Sequence, residues 1–135
     1  MDLFVDTSVW SLALRRDARS DEPAVERLRQ ALETGEGVFT TGLVVQELLQ
    51  GFRGPKARDA IVERFGALPL LVPDRTDHIG AAELRNACRR NGVQVGTIDA
   101  LLAQLCRRHD LVMLTTDRDF ERVARHVDLR LWSTR

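Results

Sequence analysis

The sequence predicts an α/β fold: a central, mainly parallel sheet of about five strands with helices covering both faces. Three observations predict it. Short apolar runs of strand length alternate with stretches of helical periodicity along the whole chain. Strands separated in this way by helices are joined by crossovers and so run parallel. The 135 residues are the size of one domain, and no repeat, low-complexity tract or Pro/Gly-rich linker divides them, so 1–135 is expected to be a single domain. A chain of this size buries about two-thirds of the surface its unfolded form exposes, which suffices for one core and not for two.

The first strand is the apolar run Leu3-Phe4-Val5, which ends at Asp6. A short helix is expected over 8–16. A second should run from Pro23, well placed at a first helical position, to Thr34, with Gly35 as its C-cap and Val25, Leu28 and Leu32 as its apolar stripe. Residues 38–40 read as a strand and 42–52 as a helix, which Gly54-Pro55 breaks before another helix over 55–65. A strand over 68–72 lies between turn residues, and a longer helix over about 76–91 stops at Gly92. Thr97 is expected to cap a helix that runs to about Arg108. A strand over 111–114, a helix over 118–126 and a last strand over 129–132 complete the pattern.

Composition narrows the function classes. With 44% apolar and 30% charged residues, the chain is an ordinary globular one and not a disordered one. Its apolar runs, such as 43–45 and 68–72, are far shorter than the ~20 residues that span a membrane. The opening Met-Asp-Leu-Phe-Val-Asp has neither a basic nor an apolar leader region, so no signal peptide, no membrane partner and a cytoplasmic location are expected. Cys88 and Cys106 sit among apolar neighbours and read as small core residues. The three histidines, His78, His109 and His126, match no zinc spacing. Net charge is zero, yet 19 of the 20 basic residues are Arg, with Lys56 the one Lys. Arg suits phosphates and bases, and an Arg excess equally follows from genome composition.

Four acids stand where periodicity points inward. Asp6 follows directly on the first strand, and in open α/β sheets ligands bind outside the carboxyl ends of the strands; the same residue would also serve as a helix N-cap. Glu47 lies on the stripe formed by Leu43, Val44, Leu48 and Gly51. An unpaired carboxylate there costs several kcal/mol of desolvation, about enough to demand a cation, a raised pKa or a wet cleft; a boundary residue reaching water is the plainer reading. Asp99 heads the stripe Leu102, Ala103 and Cys106, although the first turn of a helix favours an acid anyway. Asp117 follows the fourth strand as Asp6 follows the first, and it too would cap a helix. Taken together, the four can all reach one side of one sheet. Four carboxylates gathered there could not all stay ionised without a counter-charge. An oxygen-rich anionic pocket suits a hard divalent cation, Mg²⁺ or Mn²⁺, and such ions serve in-line displacement at phosphorus.

The segments Val5-Asp6-Thr7-Ser8-Val9-Trp10, Val45-Gln46-Glu47-Leu48-Leu49-Gln50-Gly51, Thr97-Ile98-Asp99-Ala100-Leu101-Leu102-Ala103 and Leu114-Thr115-Thr116-Asp117-Arg118-Asp119-Phe120 resemble, in order and spacing, the motifs of PIN-domain nucleases. Length and layout are similar to the VapC-type toxins of VapBC toxin–antitoxin systems. The resemblance implies a three-layer α/β/α fold and a Mg²⁺- or Mn²⁺-dependent endoribonuclease. Its acidic site would be Asp6, Glu47, Asp99 and Asp117, with Asp6 and Asp99 as direct metal ligands and Glu47 and Asp117 binding directly or through water. Ser8 and Thr115 match the family's small hydroxyl positions and would support the site by hydrogen bonding. Asp119 would be either a fifth acid or a solvated acid at a helix start. A VapB-like antitoxin, an RNA substrate and a homodimer formed through helices such as 42–52 or 55–65 are implied as partners.

With the four acids set against a bound metal, 20 basic residues face 16 acidic ones, and the rest of the surface is net basic. Arg85, Arg89, Arg90, Arg107, Arg108, Arg118, Arg122 and Arg125 would then be available to RNA phosphates. The absence of Tyr and a total of seven aromatic residues limit base stacking, so shape and backbone reading are expected to matter. The competing reading is a PIN-like module that binds RNA or an antitoxin without cutting. A phosphoacceptor receiver domain would want a Lys late in the chain, and an Asp-x-Asp phosphatase would want an acid where Ser8 stands.

Overall fold

Leu3, Phe4 and Val5 form strand β1 (Leu3–Val5), and all three are fully buried, as expected of a strand covered on both faces. The computed structural model describes residues 1–15 and 21–134, so Arg16, the last residue of the helix expected over 8–16, lies outside the described residues. With β2 (Val38–Thr41), β3 (Leu70–Leu71) and β4 (Val112–Leu114), β1 makes a four-stranded parallel sheet in the order β3-β2-β1-β4. In register, Leu3 stands beside both Val38 and Val112, and Val5 beside Leu114. The carboxyl ends of β1 and β4 therefore lie together.

Two expected strands are shorter than their apolar runs. Pro69 has no N–H to give the ladder, so β3 begins after it, although its carbonyl still accepts from the Thr40 N–H at 3.2 Å. The fifth strand, over 129–132, is reduced to a single parallel bridge between Met113 and Leu131. The cause is the length of β4. Its Val112 N–H and Leu114 carbonyl are bonded toward β1, which leaves Met113 alone to face outward. Met113 donates to the Arg130 carbonyl and accepts from Trp132 N–H, each at 2.9 Å, and no further residue of β4 is free to extend the pairing.

The helices are α1 (Thr7–Ala13), α2 (Pro23–Thr34), α3 (Gly42–Gly51), α4 (Pro55–Gly66), α5 (Arg75–Arg90), α6 (Thr97–Arg108) and α7 (Asp119–Ala124). Gly35 ends α2 at φ +74°, a left-handed conformation that favours glycine. The cap of α6 is Gly96 and not Thr97: the Gly96 carbonyl takes the Ala100 N–H at 3.0 Å, so Thr97 is already the first helical residue. The ring of Trp10 in α1 meets that of Phe65 in α4 edge to face, with centroids 4.7 Å apart. Helices α5 and α6 lie close along each other. A Cβ on Gly80 would stand 2.5 Å from Gln104 Nε2, at the end of a flexible side chain that would have to turn aside. Cys88 and Cys106 are free and buried, as core residues should be. No helix among the described residues is long and apolar enough to cross a membrane.

Candidate active site

Asp6 leaves β1 at its carboxyl end and is only 6% exposed. Its backbone occupies the cap position of α1, yet its side chain makes no capping bond. Instead Oδ2 accepts from two hydroxyls, Ser8 Oγ and Thr115 Oγ1, each at 2.9 Å. The two hydroxyl oxygens lie 3.3 Å apart, and each has already given its one proton to Asp6. Each also accepts a backbone N–H from the turn after β4: Thr116 N donates to Ser8 Oγ at 3.1 Å and Asp117 N to Thr115 Oγ1 at 3.0 Å. The polarity of that turn is thus relayed through two hydroxyls onto one carboxylate oxygen, which fixes its orientation.

Glu47 is half-buried on α3, where Thr7 Oγ1 donates to its Oε1 at 3.0 Å. Asp99 stands in the first turn of α6 and is also half-buried. Burial first, then repulsion from Asp6, Asp117, Glu47 and Asp119 in that order, pushes the Asp99 carboxyl from its ordinary 3.8 up to about 6. All four expected acids therefore share one electrostatic neighbourhood. Asp6 also adds to the burial that raises the Cys106 thiol, one helix face away.

Asp117 serves two readings at once. Its Oδ1 accepts the Asp119 N–H at 2.9 Å, a local turn bond, while its charge reaches Asp99. Asp119 is an exposed acid in the first turn of α7, 3.9 Å from Arg122, and is the weakest of the four influences on Asp99. Among the described residues, no Arg, Lys or His forms an ion pair with Asp6, Glu47, Asp99 or Asp117. Nor do three or more of His, Cys, Asp or Glu stand together closely enough to hold one ion.

One residue of this region, Thr7, carries no role in the sequence reading. Thr7 was passed over although it follows Asp6 in a hydroxyl pair with Ser8, which is the signal that marks it. The expected arginine surface also needs correction at one place. All eight arginines are exposed, but Arg108 is engaged at the far end of α6 with Asp74, at 3.2 Å, and with Asp77. Arg85 Nε donates to the Val95 carbonyl at 2.7 Å.

The PIN domain family model matches residues 3–126. The chain is 31% identical over 135 residues to the ribonuclease VapC11 of Mycobacterium tuberculosis, covering 98% of this chain and 99% of that protein. It is similar to the same degree, over the same shares, to the VapC ribonuclease Mb1587 of Mycobacterium bovis. In fold it is similar to the DNA-bound VapBC of Salmonella typhimurium, with a TM-score of 0.76 at 24% identity over 98% of this chain and 97% of that one. With a parallel sheet whose central strand delivers Asp6 to a group of uncompensated acids, the chain belongs to the PIN-domain family and, within it, to the VapC ribonucleases.

Proposed function

We propose that this chain is a divalent-metal-dependent endoribonuclease, the toxic member of a toxin–antitoxin pair, and that Asp6, Glu47, Asp99 and Asp117 form its metal-binding and catalytic site. One observation carries the reading: Asp6, Glu47, Asp99 and Asp117 gather at one end of the sheet with no ion-pair partner among the described residues, and burial first, then repulsion from the neighbouring acids, raises the Asp99 carboxyl to about 6. Such a cluster is costly on its own and is relieved by a bound cation. The donor set is carboxylate oxygen throughout, which fits Mg²⁺ or Mn²⁺ and does not fit a thiophilic metal. Among the described residues no three acids stand at common ligand distance, so the fit is to an ion held directly by one or two carboxylates with water completing its shell, the usual habit of Mg²⁺.

Asp6 and Asp99 are the direct ligands in this reading. Bound there, the ion would offset charge on a phosphoryl group and make a water more acidic. Ser8 and Thr115 hold Asp6 Oδ2, so Asp6 keeps its orientation during turnover. Thr7 does the same for Glu47 Oε1. Glu47 and Asp117 would bind the ion directly or through water and help to position the attacking water. The partners in this reading are an RNA, a VapB-like antitoxin and a second copy of the chain. Val45 and Leu49 of α3 and the half-exposed Leu70 of β3 line an apolar hollow of about 440 Å³, which supports the copy–copy contact. A cytoplasmic place of action belongs to the same proposal.

The test is cleavage of total cellular RNA by antitoxin-free protein, with Mg²⁺, Mn²⁺ or EDTA, beside Asp99→Asn. Discrete fragments that need metal and disappear in the variant are expected. RNA left intact by folded protein under every condition would turn the reading toward a binding module.

A further inference from the structure

Helix α5 has a stripe with the spacing of a core-facing helix, His78, Ala81, Ala82, Arg85 and Asn86, yet its centre is two alanines. Across from it stand Ile98 and Ala100 of α6 and Leu43 of α3, and the missing side-chain volume leaves a hollow of about 390 Å³. Its walls are mainly apolar. Ile98, one of the lining side chains, is 40% exposed, so the hollow is open to solvent on that side.

The position of the hollow is what matters. Ile98 and Ala100 flank Asp99 in the chain, and Leu43 stands one helical turn before Glu47, on the same face of α3. Two of its three walls are therefore the helices that deliver two of the site acids. Its rim, by contrast, is polar and mixed: the Asn86 Oδ1 already accepts from Arg89 Nη2 at 2.6 Å, which leaves its NH2 to donate, the His78 ring offers nitrogen, and Arg85 carries a planar cation. The Nε of Arg85 is already tied to the Val95 carbonyl at 2.7 Å, so the guanidinium plane is held while its outer nitrogens stay available. Flat apolar walls with a few fixed donors and acceptors at one edge are what a nucleobase needs, since its faces are apolar and its edge is not. A chain with no Tyr has few aromatic platforms, and this slot does the same work with aliphatic walls and a guanidinium.

We propose that the hollow between α3, α5 and α6 is a base-recognition pocket, taking one nucleobase of single-stranded RNA next to the phosphate held at the acids. The inference rests on the nuclease reading for its position and stands on its own for binding. Ala82 and Asn86 then set which base is preferred.

The first arm of the test measures binding alone. The four nucleoside 5′-monophosphates and ribose 5-phosphate are titrated into the full chain in EDTA, with the methyl signals of Leu43, Ile98 and Leu101 followed by NMR. At least one monophosphate should shift these methyls while ribose 5-phosphate does not. Ala82→Leu, at an exposed position that fills the slot without touching the core, should weaken that binding by about tenfold or more. Asn86→Ala should change the order of preference among the bases. Equal shifts with ribose 5-phosphate, or none with any monophosphate, would overturn the proposal and leave the slot to an apolar peptide side chain.

The second arm reads the cut sites in a randomised single-stranded RNA. Wild-type protein should prefer a base at one position beside the cut, and Ala82→Leu should relax that position only. Cleavage with an unchanged preference overturns the pocket. Binding without any cleavage overturns the nuclease reading while the pocket stands.

Discussion

Helix α6 carries a group of carboxylates at each end, and the two groups have been treated in opposite ways. At its start, Asp99 is half-buried and repelled by Asp6, Asp117, Glu47 and Asp119, and burial first, then this repulsion, lifts its carboxyl to about 6. At its end, Arg108 joins Asp74 and the fully buried Asp77, and here every charge has an answer. Asp74 and Asp77 form a capping box at the start of α5, each accepting the other's backbone N–H, at 3.0 and 2.9 Å. The Asp77 N–H, with Arg108 behind it, holds the Asp74 carboxyl below its usual range. Only about 13 Å of helix separate the two ends. The acids of the far end lock α5 onto α6, while those of the near end strain against each other. Compensation marks a structural group, and its omission marks a place where something else must arrive.

The sharpest way to break this comparison is Asp99→Asn. It should reduce RNA cleavage by about a hundredfold or more, while the melting temperature of the metal-free protein does not fall, because a repelled charge has been removed. A variant that cuts RNA as well as wild type would sink the assignment of the acids. Asp6→Asn should behave likewise in cleavage.

Arg108→Met is the mirror experiment. It keeps the aliphatic stem and leaves Asp77 buried without its cation, one of whose oxygens already has no hydrogen-bond partner. Denaturant unfolding should show a loss of about 2 kcal/mol, less than a fully buried pair would lose because Arg108 is itself partly exposed. Cleavage per folded molecule should be unchanged.

Smaller again is the effect of Ser8→Ala. It removes one of the two hydroxyl donors to Asp6 Oδ2, and Thr115 keeps the other. A fall of about tenfold in kcat is expected, the scale of one hydrogen bond to a charged group. No change in kcat would show that Thr115 alone fixes the carboxylate.

The mildest effect is on pH. A carboxyl raised in the folded state binds its proton more tightly folded than unfolded, so it favours folding at low pH. That contribution is lost as pH climbs from the ordinary 3.8 through about 6. In EDTA the melting temperature should therefore be higher near about pH 5 than near about pH 7.5, and Asp99→Asn should reduce the difference. Glu36, held down to about 2 chiefly by its hydrogen bonds with Arg27, stays ionised throughout and does not contribute to the change. The same slope in wild type and variant would show that another group sets it.

Sequence carried the near end of α6 further than the far end. Glu47 and Asp99 stand out in the sequence because each lies on an apolar helical stripe, a conflict that periodicity exposes, and Asp6 and Asp117 because each follows directly on a strand. Asp77 made no such signal: a first-turn acid in a polar helix start reads as solvated, and only the approach of Arg108 from 31 residues away buries it. Gly35 was readable as a cap because its left-handed φ is a local matter, whereas Gly96 displaced Thr97 as the cap of α6 for want of any local preference strong enough to decide. The missing fifth strand depended on which edge of Met113 faces outward, which is a property of the assembled ladder. The slot beside Asp99 was invisible for a different reason. Ala81 and Ala82 look like ordinary helix formers until the distance to α3 is known.

The central position of β1 also has a consequence for the order in which the chain is made. Asp6 is made 109 positions ahead of Thr115, which orients it. At about 5–20 residues per second the two are separated by roughly 5–20 s of synthesis. Until β4 emerges, the middle strand of the sheet lacks a neighbour and the acid group lacks Asp117. A chain made only as far as β3 therefore cannot assemble the cluster, and whatever the four acids do together is withheld from the machine that is making them until β4 and Asp117 have followed.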